Sequence, residues 1–322
     1  MRSVDDIDTI TDNQGDDMAL HTDLSALVQG AATQAPPLDL AAALPAMRAQ
    51  MRAVGDAFSR PDAVETQSID LGACPGRLYR PADGPSSALL LFIHGGGWIF
   101  GDLDTHDAMC AHIAHEAGCA VLAVGYCLAP EHPFPAGLDN CDDAYRWGVA
   151  NAETLGIDPA RVAIGGESAG ANLAAAVTLR RRARGEPQPL FQILVHPLTD
   201  FRLIAPSIAA IEGPGITRDQ MVQMRAMYLG ADGDPADPEA SPLLATSHAD
   251  LAPAIVLTAE CDPLRDDGEA YALALATAGV ETLIQRLPGL PHGFLFLPAE
   301  IPVVADAYRL LGSLIRRYAQ RR

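Results

Sequence analysis

From residue 87 onward the chain repeatedly presents a short apolar run closed by turn residues, uninterrupted in the central ones: SALLLFIHG, CAVLAVGY, RVAIGGES, FQILVHP, AIVLTAEC and TLIQRLPG. Runs of this length without polar alternation suit strands covered on both faces. The stretches between them include HDAMCAHIAHEAG, LDNCDDAYRWGVANAETLG, SAGANLAAAVTLRRRARG and DGEAYALALATAG, each long enough for a crossover helix. The alternation predicts an α/β fold, a mainly parallel central sheet flanked by helices. SIDLGACPGRLYRP, just upstream, reads as a hairpin. With 322 residues and 49% hydrophobic content, one core with additions is expected.

Two stretches stand outside this alternation. Residues 1 to about 35 are polar and then rich in alanine, proline and glutamine, with one short helix predicted from MALHTDLSALVQ; PLDLAAALPAMRAQMRAVGDAF follows with apolar residues at helical spacing. Residues 199–245 interrupt the strand series, with a helical pattern, TRDQMVQMRAMYLG, near the middle. A long insertion between strands is often a lid or binding element, and this one is expected to meet the N-terminal helices above the sheet. Met221, Met224 and Met227 recur there at helical spacing, which suits packing or the lining of an adaptable pocket.

Charge narrows the partners. The formal net charge is −19, and every one of the 22 basic residues is arginine. Nucleic acid, an anionic membrane surface and a highly anionic substrate are all disfavoured. Cys74, Cys110, Cys119, Cys127, Cys141 and Cys261 form no CxxC pair and read as free thiols in a reducing compartment. The acidic N-terminus lacks the pattern of a signal peptide, and no apolar run reaches about 18 residues. A cytoplasmic protein without stable membrane association is expected.

The segment IGGESAGAN holds G-x-S-x-G as Gly166, Glu167, Ser168, Ala169 and Gly170, between the strand RVAI and the helix ANLAAAVTLR. A serine on a sharp strand-to-helix turn needs small neighbours, because a bulky one would strike the adjoining strand or helix. Helix entry also aims free N–H groups at the serine, with Ala169 the first donor. Alone, the motif fits equally an ordinary serine cap. FIHGGGWIFGD adds consecutive glycines after a strand, so Gly95 and Gly96 can expose N–H groups that would complete an oxyanion hole with Ala169. The endings of a phosphate loop and of a dinucleotide loop are both missing.

A serine nucleophile needs a base, and the base needs an orienting acid. Asp262 follows the strand AIVLTAE, and His292 lies in the loop after TLIQRL. Loops at the carboxyl edge of a parallel sheet share one crevice, and the order Ser, Asp, His is that of α/β-hydrolases. Asp262 stands nearest its strand end, although it could instead cap the next helix, leaving Asp266 or Asp267 as the acid.

With HGGGW, LAPEHPFPA, GESAG, SPLLA, AECDPLRDDG and HGF, the chain resembles, from about residue 70 to 315, the hormone-sensitive-lipase family of α/β-hydrolases, the bacterial family IV carboxylesterases. The resemblance implies a triad of Ser168, Asp262 and His292 with Gly95, Gly96 and Ala169 as oxyanion donors. It implies a helical cap from residues 1 to about 60 and the insertion at 199–245, over a catalytic domain spanning 61–322. It further implies hydrolysis of short- to medium-chain acyl esters, without cofactor or metal, by an enzyme that in this family often dimerises. An amidase or arylacetamide-type deacetylase would use the same atoms, and the gibberellin receptor shows that the fold can bind ligands without catalysis. Glu167, Ala171 and Cys127 depart from the usual residues and touch the frame around the turn.

Two clusters point elsewhere. His106, Cys110, His112, His115 and Cys119 fall within one helical stretch, but their spacing matches no familiar zinc pattern, and a helix with one buried and one wet face is expected. The arginines of TLRRRARGE close a helix, where cations suit a solvated end.

Overall fold

The computed structural model describes residues 9–11, 17–24, 39–82, 87–211 and 215–320. Most of the polar N-terminal stretch, including residues 25–29 of the short helix expected there, lies outside the described residues; residues 22–24 are helical, but Met18 and Ala19, expected in the same helix, are in a strand instead. Strands β1 (Thr9–Thr11) and β2 (Asp17–Ala19) pair antiparallel on their own. The main sheet is built from β3 (Val64–Asp70), β4 (Pro75–Pro81), β5 (Leu89–Ile93), β6 (Ala120–Val124), β7 (Val162–Glu167), β8 (Gln192–Val195), β9 (Ala254–Cys261) and β10 (Thr282–Pro291). The helices are α1 (Leu40–Gly55), α2 (Asp107–Ala117), α3 (Ala136–Ala150), α4 (Ala169–Ala183), α5 (Pro206–Ala210), α6 (Arg218–Leu229), α7 (Arg265–Thr277) and α8 (Pro302–Ala319).

The sheet runs in the order β10-β9-β8-β7-β5-β6-β4-β3, with β3 and β4 as the expected hairpin and β4 alone opposing the other strands. The central apolar runs became strands because both faces are covered, whereas β10 lies at the sheet edge and leaves Ile284, Gln285 and Arg286 exposed. In β5, Leu89, Leu91 and Ile93 join a core with residues of α3, α4 and α7. Leu90 and Phe92 point the other way, into a core with α2 and α8. The chain passes from β5 to β6 on one side and then to β7 on the other, so the order reverses at β5 and a crevice opens at the strand ends.

Helix α8 was not anticipated, because no strand or motif marked it. Val304, Ala307, Tyr308, Leu311, Leu314, Ile315 and Tyr318 are buried at helical spacing, and the helix packs on α2. The approach is close at Gly312, where an added Cβ would lie 2.4 Å from the Glu116 carbonyl carbon. On α2, Cys110 is buried and His115 exposed, the two-faced helix expected from its sequence.

The arginine run departs from the expected solvated end. Arg180 and Arg181 are only 6% exposed. Arg180 pairs with Asp139 and Glu239, each at 2.7 Å, while Arg181 pairs with Glu186 at 2.8 Å and lies over the Tyr145 ring. These cations fasten α4 to α3 and to residues approaching β9. Partners far away in sequence override the local preference of a helix terminus for water.

The insertion and the first long helix converge as expected. Asp39 caps α1 by accepting from the Ala42 N–H, and Thr217 with Gln220 forms a capping box on α6. The two helices touch, and the Leu40 N–H donates to Gln223 Oε1 at 2.9 Å. Both also hold the loop after β5. Arg48 donates to the carbonyls of Ile99 and Ala129, and Tyr228 stacks on Trp98 with ring centroids 4.7 Å apart.

Candidate active site

Strand β7 ends at Glu167, and Ser168 takes φ 53° and ψ −118° before α4 begins. That conformation is costly for a residue with a side chain, and the surroundings enforce it. The Ser168 N–H donates to Val195 O at 2.9 Å, and its carbonyl accepts from the Asn172 N–H at 3.1 Å. The flanking glycines are required by backbone. A Cβ on Gly166 would stand 2.5 Å from Ile93 O and from the Gly170 carbonyl, and one on Gly170 would stand 2.0 Å from Ile93 O.

The acid and base arrive on neighbouring strands. Pro291 is in register with Cys261, so the next residue of each strand, His292 and Asp262, stand abreast. The register slips between Leu287 and Pro291, with Gly289 at φ +64°, and this bulge brings His292 level. His292 Nε2 lies 2.9 Å from Ser168 Oγ, and His292 Nδ1 lies 2.9 Å from Asp262 Oδ2. The other carboxylate oxygen of Asp262 accepts from the Leu264 N–H at 2.8 Å, so this residue both faces the histidine and caps the following turn. Asp266 and Asp267 point elsewhere: Asp266 accepts from Ser207 N–H, and Asp267 from Thr199 and Asp200.

The glycine loop lies beside this trio, since Ile93 at the end of β5 is in register with Gly166. Gly96 has φ +104°. Among the described residues, the N–H groups of Gly95, Gly96 and Ala169 donate to no protein acceptor. Three free donors around a serine can hold a developing oxyanion.

Behind the serine lies a buried set of ionisable groups that the sequence did not disclose. Glu167 is 5% exposed, with His106 Nε2 3.4 Å and His196 Nε2 3.7 Å from its carboxylate oxygens. Burial opposes its ionisation, but His106, His196 and His292 outweigh this and hold its carboxyl down at about 2. A Cβ on Gly95 would lie 1.9 Å from Glu167 Oε1, so the carboxylate is wedged against the glycine loop. His196 is fully buried, with its ring centroid 4.5 Å from that of His292; burial first, then His292, lowers its proton affinity to about 4. Burial also works against the His292 imidazolium, but the charge and hydrogen bond of Asp262, with Glu167 beyond, raise its proton affinity overall. Glu167 therefore does more than frame the turn. His196 follows β8 directly, at the same carboxyl edge as Asp262 and His292, and that position was the signal available in the sequence.

The metal reading of the α2 histidines dissolves into separate contacts. His106 Nδ1 lies 2.8 Å from Thr105 Oγ1, and His112 Nε2 lies 3.2 Å from Ser59 O. A cavity of about 350 Å3 is lined by Arg48, Arg52 and Arg77 among others, not by the triad residues. Arg48 is paired with Glu131, Arg52 with Asp102, and Arg77 with Asp104 and Asp107, so none of these three is a free cation for an anionic ligand.

Residues 90–296 match the model of an α/β-hydrolase fold family. The chain belongs to this family, and its glycine-loop and nucleophile motifs are of the hormone-sensitive-lipase kind. It is 44% identical over 265 residues to the carboxylic ester hydrolase LipN of Mycobacterium tuberculosis, covering 78% of this chain and 70% of that one. It is 40% identical over 243 residues to an ethyl acetate hydrolase of Pseudomonas putida, covering 73% and 76% respectively. Among solved structures, an esterase of the archaeon Pyrobaculum calidifontis superposes with a TM-score of 0.83 at 33% identity, covering 94% of this chain and 99% of the other. Among the described residues no helix is long and apolar enough to cross a membrane.

Proposed function

We propose that the chain is a serine carboxylesterase acting on short- to medium-chain acyl esters of small molecules. The observation that carries this reading is the continuous contact from Ser168 Oγ through His292 to Asp262, beside unclaimed N–H groups. His292 Nε2 takes the Ser168 proton as Oγ attacks the ester carbonyl. Gly95, Gly96 and Ala169 donate to the oxyanion, and Asp262 holds the proton on Nδ1 and stabilises the imidazolium. His292 then gives its proton to the leaving alcohol. Water repeats the sequence on the acyl-enzyme and frees the acid.

In this reading residues 1–60 and 199–245 form a cap over a hydrolase domain spanning 61–322, with α1, α5 and α6 among its described helices. The contact of Met224 with Gly97 supports it, since a Cβ on that glycine would meet the sulfur at 2.4 Å. No cofactor, metal or nucleic acid enters the reaction. The protein works in the cytoplasm without stable membrane attachment, as a monomer or homodimer.

Hydrolysis of p-nitrophenyl esters from acetate to laurate tests the proposal on wild type, Ser168→Ala and His292→Ala. Activity greatest on short chains and lost in both variants is the expected result. Activity surviving Ser168→Ala overturns the assignment. A matched ester and anilide pair separates esterase from amidase, and an inactive wild type would turn the reading towards a ligand receptor.

A further inference from the structure

We propose that His196, Asp262 and His292 form a binding site for one zinc-like divalent cation, and that its occupancy switches the hydrolase off. One ligand atom from each of the three lies within 4.8 Å of the others. Two imidazoles and a carboxylate make a common zinc donor set, and they leave a fourth position for water. Tetrahedral zinc at about 2.0–2.1 Å spaces its ligand atoms about 3.3 Å apart, so the set must draw together by up to about 1.5 Å on binding.

His196 is the residue that makes this more than a triad. Its side chain is fully buried, yet neither ring nitrogen has a hydrogen-bond partner. A buried imidazole without partners is costly, and the ester reaction assigns it no task. Its backbone is held at φ 36°, and its ring faces His292. The carboxylates of Asp262 and Glu167 flank these two rings and favour a dication. Entry is past His292, the one member of the set that is partly exposed.

Inhibition follows from proton placement. If the ion takes His292 Nε2, the lone pair that accepts the Ser168 proton is gone. If it takes Nδ1, the single proton of the neutral ring must move to Nε2, with the same consequence. No proton is gained or lost by the neutral ring, and no co-reactant is needed. The inhibitory consequence rests on His292 being the base, whereas binding itself does not.

Two measurements decide the matter. Zn2+ is titrated against hydrolysis of p-nitrophenyl acetate by wild type, His196→Phe and His196→Gln, each referred to its own metal-free rate. Separately, Co2+ binding to Ser168→Ala, with and without His196→Phe, is followed by equilibrium dialysis and visible absorption. Loss of even an outer partner weakens metal sites about 10–100-fold. The His196 variants are therefore expected to need more than about 10-fold more Zn2+, with chelator restoring wild-type activity. Ser168→Ala is expected to bind one Co2+ that the double variant does not. Equal Zn2+ sensitivity in wild type and the His196 variants, or no site-dependent Co2+ binding, overturns the proposal. An inactive wild type would refute the esterase reading and leave the dialysis result to stand alone.

Discussion

Gly170→Ala is the substitution that tests how the nucleophile turn and the glycine loop are coupled. The new Cβ would stand 2.0 Å from Ile93 O and 2.6 Å from His94 O. Both obstacles are backbone, so no rotamer change relieves them. Relief requires the end of β5 and the start of α4 to part by about 1 Å, and crowding of this kind costs about 1–3 kcal/mol. Ile93 and His94 lead directly into Gly95 and Gly96, so the same shift moves the proposed oxyanion donors. A misplacement of about 1 Å costs catalysis about 100-fold. The variant should therefore lose stability in urea unfolding and also lose about two orders of magnitude in kcat/KM on p-nitrophenyl acetate. Gly118→Ala is the control: it too has a positive φ, 61°, but nothing lies within 4 Å of its Cβ and no catalytic element is near in sequence. It should lose about 1 kcal/mol and keep its activity. A folded Gly170→Ala enzyme with kcat/KM within twofold of wild type would refute the coupling.

Other perturbations have definite outcomes. Asp262→Asn should lower kcat on the order of 10,000-fold. It should also move the acid limb of the pH–rate profile to lower pH, because activity needs neutral His292 and Asp262 raises that ring's proton affinity; an unmoved limb counts against the assignment. Burial pushes the Asp267 carboxyl up to about 7, against an ordinary value near 3.8. The unfolded chain therefore ionises first, and the contribution of Asp267 to stability falls as pH rises from about 4 through 7. Asp267→Asn should flatten that fall, measured as urea midpoints at pH 5 and pH 8. Arg180→Met should cost about 1–2 kcal/mol, since the partners Asp139 and Glu239 are half exposed and can turn to water; no change in the unfolding midpoint would return Arg180 to a decorative role.

The central strands were legible because burial on both faces leaves an unbroken apolar run bounded by turn residues. The Ser168, Asp262 and His292 contacts were legible for a related reason: Ser168 and Asp262 follow such runs, His292 follows the edge strand β10, and strand ends share an edge. What escaped was set by distance in sequence. Arg180 is buried by Glu239, 59 residues away, and a helix-end rule has no view of that pairing. His196 sat in plain sight after ILV but carried no motif, and its burial against Glu167 depends on β7 and β8 being adjacent. Helix α8 has clear periodicity, yet nothing downstream of the last strand drew a reading to it.

The stacking of Trp98 on Tyr228 has a practical consequence. The chain has two tryptophans, and one of them ends the glycine loop and rests on a ring supplied by α6. Trp147 sits on α3 and takes no part in that stack. The emission of Trp98 is thus a native optical gauge of whether α6 is seated, with Trp147 as steady background. Replacing Trp147 with phenylalanine would leave a single-fluorophore enzyme in which displacement of α6 from the glycine loop can be read directly, with no label attached.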